Sequence, residues 1–196
     1  MELILASTSP RRKELLQQIG VKFTQLKIDI NEDVLTAETP QQYVSRLAKE
    51  KAAAGFLQLT AQQQNNSVIL AADTTVVCEG KILAKPESLA HSKEILRQLS
   101  GREHSVLTAI ALHCRDRSVQ QVVTTQVEFR QLSDVEIEAY WSTGEPQDKA
   151  GSYGIQGLAA IFVKSIHGSY SNVVGLPLAE TAEQLKQFDI PLWQDK

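Results

Sequence analysis

Four basic residues lie at positions where a cation could bind an anionic ligand: Arg11, Arg12, Lys51 and Lys85. Arg11 and Arg12 fall in the first turn of a predicted helix, whose partial positive charge disfavours further cations unless an anion binds there. Lys51 falls on the apolar stripe of another predicted helix, so it must pair with an acid, reach a ligand or extend to solvent. Such cations could hold phosphate groups. The sequence leaves open a solvated basic turn for the arginines and a structural ion pair for Lys51.

Three acidic residues complement these cations: Glu32, Asp73 and Asp148. Asp73 directly follows the apolar run 68–72, and catalytic carboxylates of α/β proteins often lie beyond the carboxyl ends of buried strands. The alternative, an Asp that caps a turn, is disfavoured because the chain continues as a strand and no helix begins there. Carboxylates that hold a divalent metal, together with cations that hold phosphates, indicate phosphate chemistry. This pattern does not say which bond is broken.

The first two predicted helices position most of these side chains. Residues 3–6 form an apolar run typical of a buried strand, and the turn 7–9 leads to Ser9 as N-cap and Pro10 at the first helical position. The helix ends near Gly20. Thr39 and Pro40 start the second helix in the same way. Its predicted apolar stripe consists of Tyr43, Val44, Leu47, Ala48 and Lys51.

The rest of the chain predicts an α/β domain with a mixed sheet. A hairpin turn at Glu79-Gly80 should return Lys85 towards Asp73. Further predicted elements are a helix over 88–99, long strands over 104–114 and 118–130, a helix capped by Ser133 and Glu136, a strand over 160–166 and a last helix from Pro177. Glycines at 151, 154 and 157 allow the backbone to approach a ligand or another strand closely. We assign no function to the polar connector 59–66.

Composition excludes several classes of protein. The 196 residues carry a net charge of −3, which gives no support to non-specific nucleic-acid binding. Cys78 and Cys114 fit no zinc or redox spacing and are expected to be buried, reduced thiols. The sequence shows neither a membrane span nor a signal peptide, so we expect a cytoplasmic protein without membrane partners.

Six motifs together resemble the Maf family. They cover nearly the whole chain in the expected order, and several are long, so the resemblance is specific. It implies a Maf/HAM1-like (ITPase-like) fold, which is a single domain over residues 1–196 with an elongated mixed sheet, flanking helices and a cleft between two lobes. The motifs are SxSPRR at 7–12, EK at 50–51, ADT at 72–74, KP at 85–86, DKAGxYGIQG at 148–157 and NVVGLP at 172–177.

The resemblance also implies an activity: hydrolysis of a nucleoside triphosphate to the monophosphate and pyrophosphate by a dimeric enzyme that uses a divalent metal such as Mg²⁺ or Mn²⁺. The branch of the family acting on dTTP and UTP has Arg, Thr and Gln at the positions of Arg11, Thr74 and Gln156, as this chain does. The branch acting on 7-methyl-GTP has Trp, Gln and Glu there. Family members are linked to the exclusion of non-standard nucleotides and to cell-division arrest.

By the same resemblance, Asp73 is the proton acceptor, and water attacks the α-phosphorus. Asp73 and Glu32 are the expected metal ligands, although sequence does not separate Asp73 as base from Asp73 as ligand. The residues implied to line the phosphate site are Ser7, Arg12, Lys51 and Lys85. Two rival hypotheses remain: a division regulator that binds nucleotides without turnover, and a nucleic-acid-binding module, which the acidic balance disfavours.

Overall fold

Seven β-strands and seven α-helices make up the described part of the chain, residues 1–194 of a computed structural model. The strands are β1 (Glu2–Leu5), β2 (Phe23–Gln25), β3 (Ser67–Cys78), β4 (Lys81–Leu83), β5 (Glu103–His113), β6 (Ser118–Phe129) and β7 (Val163–His167). The helices are α1 (Pro10–Gln18), α2 (Pro40–Leu57), α3 (Ala61–Gln64), α4 (Leu89–Leu99), α5 (Asp134–Ser142), α6 (Tyr170–Val174) and α7 (Leu178–Gln187). Short 3-10 helices cover Glu145–Asp148, Ala150–Ser152 and Leu158–Phe162.

The strands form one mixed sheet in the order β2-β1-β3-β5-β6-β7, and β4 pairs with β3. β1 runs parallel to β2 and β3, whereas the β3–β4 and β6–β7 pairs are antiparallel. The predicted α/β class with a mixed sheet and flanking helices is confirmed. No helix among residues 1–194 is both long and apolar enough to cross a membrane.

The chain divides into two compact units, and β3, β5 and β6 each contribute to both. The first unit consists of residues 1–73, residues 108–123 and the C-terminal segment from Gly175. Its fully buried side chains come from the parallel strands β1 and β3, from β5 and from the helices, as expected for strands covered on both faces. They include Leu5, Leu16, Leu47, Ile69, Leu70, Ile110 and Leu112, and Leu176 in the segment before α7 is fully buried as well.

The second unit consists of residues 74–107 and 124–174. Phe129 is at the centre of its core, in edge-to-face contact with His104, Tyr153 and Phe162. This geometry is the favoured one for aromatic side chains, because the positive ring edge meets the negative ring face. The predicted cleft between two lobes stays a prediction.

Helix starts follow the predicted chemistry at Thr39 and Ser133, where reciprocal side-chain and backbone hydrogen bonds form complete capping boxes. Ser9 occupies the N-cap position of α1, but its side chain makes no capping hydrogen bond. Instead, Ser7 Oγ accepts the backbone N–H of Ser9 at 3.2 Å. The helix therefore begins where the sequence predicts, at Pro10 after Ser9, but without the side-chain cap expected from Ser9.

Two local predictions were wrong in extent. Asp73 is not at the end of its strand: β3 continues through it to Cys78, because the residues that follow are buried and pair with β4. The segment predicted as one strand over 160–166 is a 3-10 helix to Phe162 followed by β7. The connector 59–66, for which no element was predicted, contains the short helix α3, which begins with a capping box between Thr60 and Gln63.

The C-terminal tail packs against the end of α1. The backbone N–H of Trp193 donates to the carbonyl of Ile19 at 3.0 Å, and that of Gln194 donates to Gly20 at 2.6 Å. Gly20 has φ +64°, and a Cβ there would lie 2.8 Å from the Trp193 Cα. The tail therefore touches the helix that carries Arg12, at the opposite end from the SxSPRR motif, while residues 195 and 196 lie outside the described part.

Candidate active site

A lysine joins two carboxylates in the first unit. The Nζ of Lys51 lies 2.7 Å from Asp73 Oδ1 and 2.6 Å from Glu32 Oε1. The Lys51 and Asp73 side chains are only 13% and 10% exposed, whereas that of Glu32 is 48% exposed. The structure thus brings together three of the residues that the sequence predicts for the site, and Lys51 forms ion pairs with the predicted base Asp73 and the predicted metal ligand Glu32.

The hydrophobic pattern of α2 and β3 sets this geometry. Val44, Leu47 and Ala48 are fully buried, so the same helix face directs Lys51 inward one turn later. Asp73 is 7% exposed within a strand that is buried along nearly its whole length. A buried carboxylate requires a partner, and Lys51 supplies it.

Arg12 is held by two segments that are far apart in sequence. Its Nε donates to the carbonyl of Gly175 at 2.8 Å, and its Nη1 donates to Ser7 Oγ at 3.3 Å. Gly175 belongs to the NVVGLP motif, so Arg12 connects this motif with SxSPRR. Arg11 precedes Arg12 in the first turn of α1 and is half-buried.

Burial and charge act in opposition at Asp73. Burial raises the pKa of its carboxyl group, and nearby Glu32 raises it further, whereas Lys51 and Arg12 lower it. The net direction is upward. A carboxylate with a raised pKa is a stronger base than an ordinary surface aspartate, which suits proton abstraction from water. Burial lowers the pKa of Arg12 while Asp73 opposes that change, and the guanidinium remains charged.

Tyr43 belongs to this site and was assigned only to the apolar stripe. Its hydroxyl donates to the backbone carbonyl of Glu32 at 3.0 Å, and this bond ties the loop that carries Glu32 to α2. Burial raises the pKa of Tyr43 to about 12, with further contributions from Asp73 and Glu32. The signal in the sequence was the spacing: Tyr43 lies two helical turns before Lys51 on the same stripe.

The donor chemistry of Glu32 and Asp73 fits a hard divalent cation. Their oxygens already converge on one cationic group, the Lys51 ammonium, and carboxylate oxygens are the ligands that Mg²⁺ and Mn²⁺ prefer. Residues 1–194 contain no group of three His, Cys, Asp or Glu side chains suited to a metal. A Mg²⁺ site usually combines one or two protein carboxylates with substrate phosphates and water.

Four other predicted residues belong to the second unit: Thr74, Lys85, Asp148 and Gln156. Leu83 pairs with Val76, so the predicted hairpin is confirmed and its return strand runs back towards Thr74. Lys85 and Gln156 are exposed. Asp148 is exposed as well and accepts a hydrogen bond from Lys149 Nζ at 2.6 Å.

The three glycines of the DKAGxYGIQG motif face protein atoms. A Cβ on Gly151 would lie 2.8 Å from the Val76 side chain, and one on Gly154 would lie 2.6 Å from Lys149 Cε. A Cβ on Gly157 would overlap the carboxylate of Glu145. Gly151 thus lies close to strand β3, as one of the two interpretations expects, whereas Gly154 and Gly157 lie close to the side chains of Lys149 and Glu145.

Comparison with known proteins identifies the family. The sequence model of the family described as Maf-like protein matches residues 2–188, and the chain belongs to this family. It is 50% identical over 193 residues to a dTTP/UTP pyrophosphatase of Hahella chejuensis, covering 98% of this chain and 95% of the relative. A dTTP/UTP pyrophosphatase of Colwellia psychrerythraea is 54% identical over 184 residues, covering 94% and 87%. One from Vibrio vulnificus is 49% identical over 187 residues, covering 95% and 98%. The predicted family is confirmed.

Proposed function

We propose that the protein is a hydrolase that converts dTTP and UTP to the nucleoside monophosphate and pyrophosphate. The observation that carries this proposal is the buried Asp73 carboxylate, paired with Lys51 and close to the charge of Arg12. A general base beside phosphate-binding cations suits attack of water on a phosphorus atom. The names of relatives that are about 50% identical over almost the whole chain support the substrate class.

In the proposed mechanism, Asp73 orients the attacking water and accepts its proton. Lys51 and Arg12 neutralise the charge that grows on the departing pyrophosphate. A phosphate-binding role of Lys85 is proposed on the family resemblance alone. Ser7 keeps the Arg12 guanidinium in place. Arg11, Thr74 and Gln156 are proposed to select the pyrimidine base.

Glu32 and Asp73 are the residues that would hold a divalent metal. When bound, such an ion supplies positive charge against phosphate oxygens. Lys51 must then share the two carboxylates with the ion. We propose that Glu32→Gln raises the Mn²⁺ dissociation constant measured by calorimetry on the protein without nucleotide. The matched control is Glu50→Gln, because Glu50 is an exposed carboxylate of α2 that pairs with Arg46.

The test of the activity uses the purified protein with dTTP or UTP and Mg²⁺ in H₂¹⁸O. ³¹P NMR distinguishes pyrophosphate from phosphate, and mass spectrometry locates the label. Attack at the α-phosphorus places ¹⁸O in the monophosphate and none in pyrophosphate. Binding of dTTP without pyrophosphate release would support the rival nucleotide-binding regulator and contradict the enzyme proposal.

We also propose a homodimer and a cytoplasmic location, both on the family resemblance. Cys78 and Cys114 are buried free thiols, which accords with a reducing compartment. Light scattering coupled to size-exclusion chromatography tests the first proposal, because a dimer has twice the mass of the 21.7 kDa chain. Fractionation of cells that express the tagged protein tests the second.

A further inference from the structure

Gln156 is carried on a tight turn. The backbone N–H of Gly157 donates to the carbonyl of Gly154 at 3.1 Å, so Gln156 occupies the third position of a four-residue turn. Ile155, beside it, is 8% exposed and packs into the second unit, whereas Gln156 is exposed. The burial of Ile155 fixes one side of the turn and leaves the Gln156 side chain directed outward.

One pair of side chains holds both ends of this turn. Tyr140 Oη accepts the backbone N–H of Gly154 at 3.3 Å, at the start of the turn. Glu145 Oε2 accepts the backbone N–H of Leu158 at 2.8 Å, just after its end. The two anchors are themselves joined, because Tyr140 Oη donates to Glu145 Oε1 at 2.9 Å. We call Tyr140 and Glu145 the anchor pair.

The surroundings of the anchor pair keep it charged and fixed. Burial raises the pKa of Glu145, but the hydrogen bonds from Leu158, Tyr140 and Ala159 outweigh it, and the net direction is downward. Glu145 is therefore ionised at neutral pH and accepts at both oxygens. Burial and the Glu145 carboxylate raise the pKa of Tyr140, so its hydroxyl stays a donor. Lys149 Nζ donates to the Glu145 backbone carbonyl at 2.6 Å and fixes the 3-10 helix that carries it.

Gly157 fits the same arrangement. Its φ of −105° lies outside the left-handed region that favours glycine. The absence of a Cβ matters here, because a Cβ at this position would overlap the carboxylate of Glu145. The last glycine of the DKAGxYGIQG motif thus makes room for the anchor pair.

We infer that Tyr140 and Glu145 are positioning residues for Gln156 and thereby set the preference for pyrimidine over purine nucleotides. The inference rests on the proposed role of Gln156 in reading the base. Neither member of the pair is assigned contact with the substrate. Their effect passes through the position of the turn, since a small displacement of a hydrogen-bonding group weakens discrimination strongly.

The experiment compares kcat/KM for dTTP and dGTP in wild type, Tyr140→Phe, Glu145→Gln and Gln156→Ala, and in the double variant Tyr140→Phe/Gln156→Ala. Tyr140→Phe removes the hydroxyl and keeps the ring that packs on Phe162 at 5.1 Å. We expect Tyr140→Phe to lower the dTTP:dGTP selectivity about tenfold, mainly through KM for dTTP. Glu145→Gln should lower the dTTP:dGTP selectivity at least as much. Both carboxylate oxygens of Glu145 accept hydrogen bonds, and in the amide an NH₂ donor would replace one of them.

Tyr153→Phe is the matched control. It removes a hydroxyl of the same loop that contacts His104 and not the turn, so selectivity should stay within twofold of wild type. Hydrogen exchange at the Leu158 amide gives a readout independent of activity, and it should become faster in both anchor variants and stay slow in the control. Thermal unfolding verifies that each variant is folded.

The double variant separates positioning from a general structural effect. If the anchor pair acts through Gln156, Tyr140→Phe causes no further loss of selectivity in the Gln156→Ala background. An equal loss in both backgrounds, or unchanged selectivity in folded Tyr140→Phe, overturns the inference. Unchanged selectivity in Gln156→Ala overturns it too, while dTTP hydrolysis by the wild type leaves the proposed activity standing. A wild type that releases no pyrophosphate from dTTP contradicts the proposed function itself, and the exchange measurement then reports separately on the anchor.

Discussion

The Nζ of Lys51 lies 2.7 Å from Asp73 Oδ1, so the candidate base and a candidate phosphate-binding cation form one ion pair. Both side chains are almost fully buried, and Lys51 also contacts the more exposed Glu32. Lys51 therefore affects the site in two ways. It lowers the pKa of Asp73 against the effect of burial. It also places a positive charge where a phosphate group or a metal ion would bind.

Asp73→Asn should lower kcat about 10²–10⁴-fold, the usual range for loss of a general base, and leave the protein folded. The amide keeps the size of the side chain but does not accept a proton from water. Steady-state pyrophosphate release from dTTP measures the effect, and circular dichroism verifies the fold. Asp116→Asn, in an exposed turn, is the control. Near-normal turnover in Asp73→Asn would remove Asp73 from the mechanism.

Lys51→Met should shift the acidic limb of the kcat/KM profile to higher pH. The Lys51 charge lowers the pKa of Asp73, so its removal raises that pKa, and the active carboxylate form is then lost at a higher pH. We also expect the free energy of unfolding to fall by about 1 kcal/mol or more, because a buried carboxylate loses its partner. Lys49→Met is the control, since Lys49 is exposed on the same helix. Identical pH profiles for the two variants would show that Lys51 does not act on the base.

We expect His104 to make the stability of the protein depend on pH. Burial lowers its pKa from 6.5 to about 4, so the unfolded state binds a proton that the folded state does not. The free energy of unfolding therefore keeps its full value above pH 6.5 and decreases as the pH falls towards 4, because protonation of His104 then favours the unfolded state. This linkage amounts to about 2 kcal/mol between pH 7 and pH 5.

His104→Phe should remove this share of the pH dependence. Urea unfolding at pH 7 and pH 5 gives the change in unfolding free energy for each protein, and the wild type should lose about 2 kcal/mol more than the variant. His167→Phe replaces an exposed histidine and should behave as wild type. Equal losses in all three proteins would mean that His104 does not carry the linkage.

Gln156→Glu should selectively weaken turnover of pyrimidine triphosphates. Uracil and thymine present acceptor, donor and acceptor groups along their pairing edge, and an amide can both donate and accept, whereas a carboxylate opposes O2 or O4 with a second acceptor. The measurement is kcat/KM for dTTP, UTP, CTP, GTP and 7-methyl-GTP, in which dTTP and UTP should lose at least tenfold relative to GTP. A uniform loss across all five would show that Gln156 shapes the loop without reading the base.

Local sequence signals predicted the elements near the site well. Thr39 followed by Pro40 predicted the start of α2. The apolar stripe that ends at Lys51 predicted that this lysine lies on the inward face of the helix. Local sequence signals do not predict secondary structure correctly where contacts with distant parts of the chain determine it. Residues 158–162 form a 3-10 helix although the apolar pattern predicted a strand from residue 160.

The sequence by itself determined the family, the α/β class and the residue types of the site, because motifs and hydrophobic periodicity are properties of the chain. Only the tertiary structure showed that Lys51 bridges Asp73 and Glu32, that Gly175 receives the Arg12 guanidinium, and that Glu145 needs the space at Gly157. Each of these contacts joins residues that are between 12 and 163 positions apart. The packing of the buried elements determines which distant residues come into contact, and local sequence spacing does not contain that information.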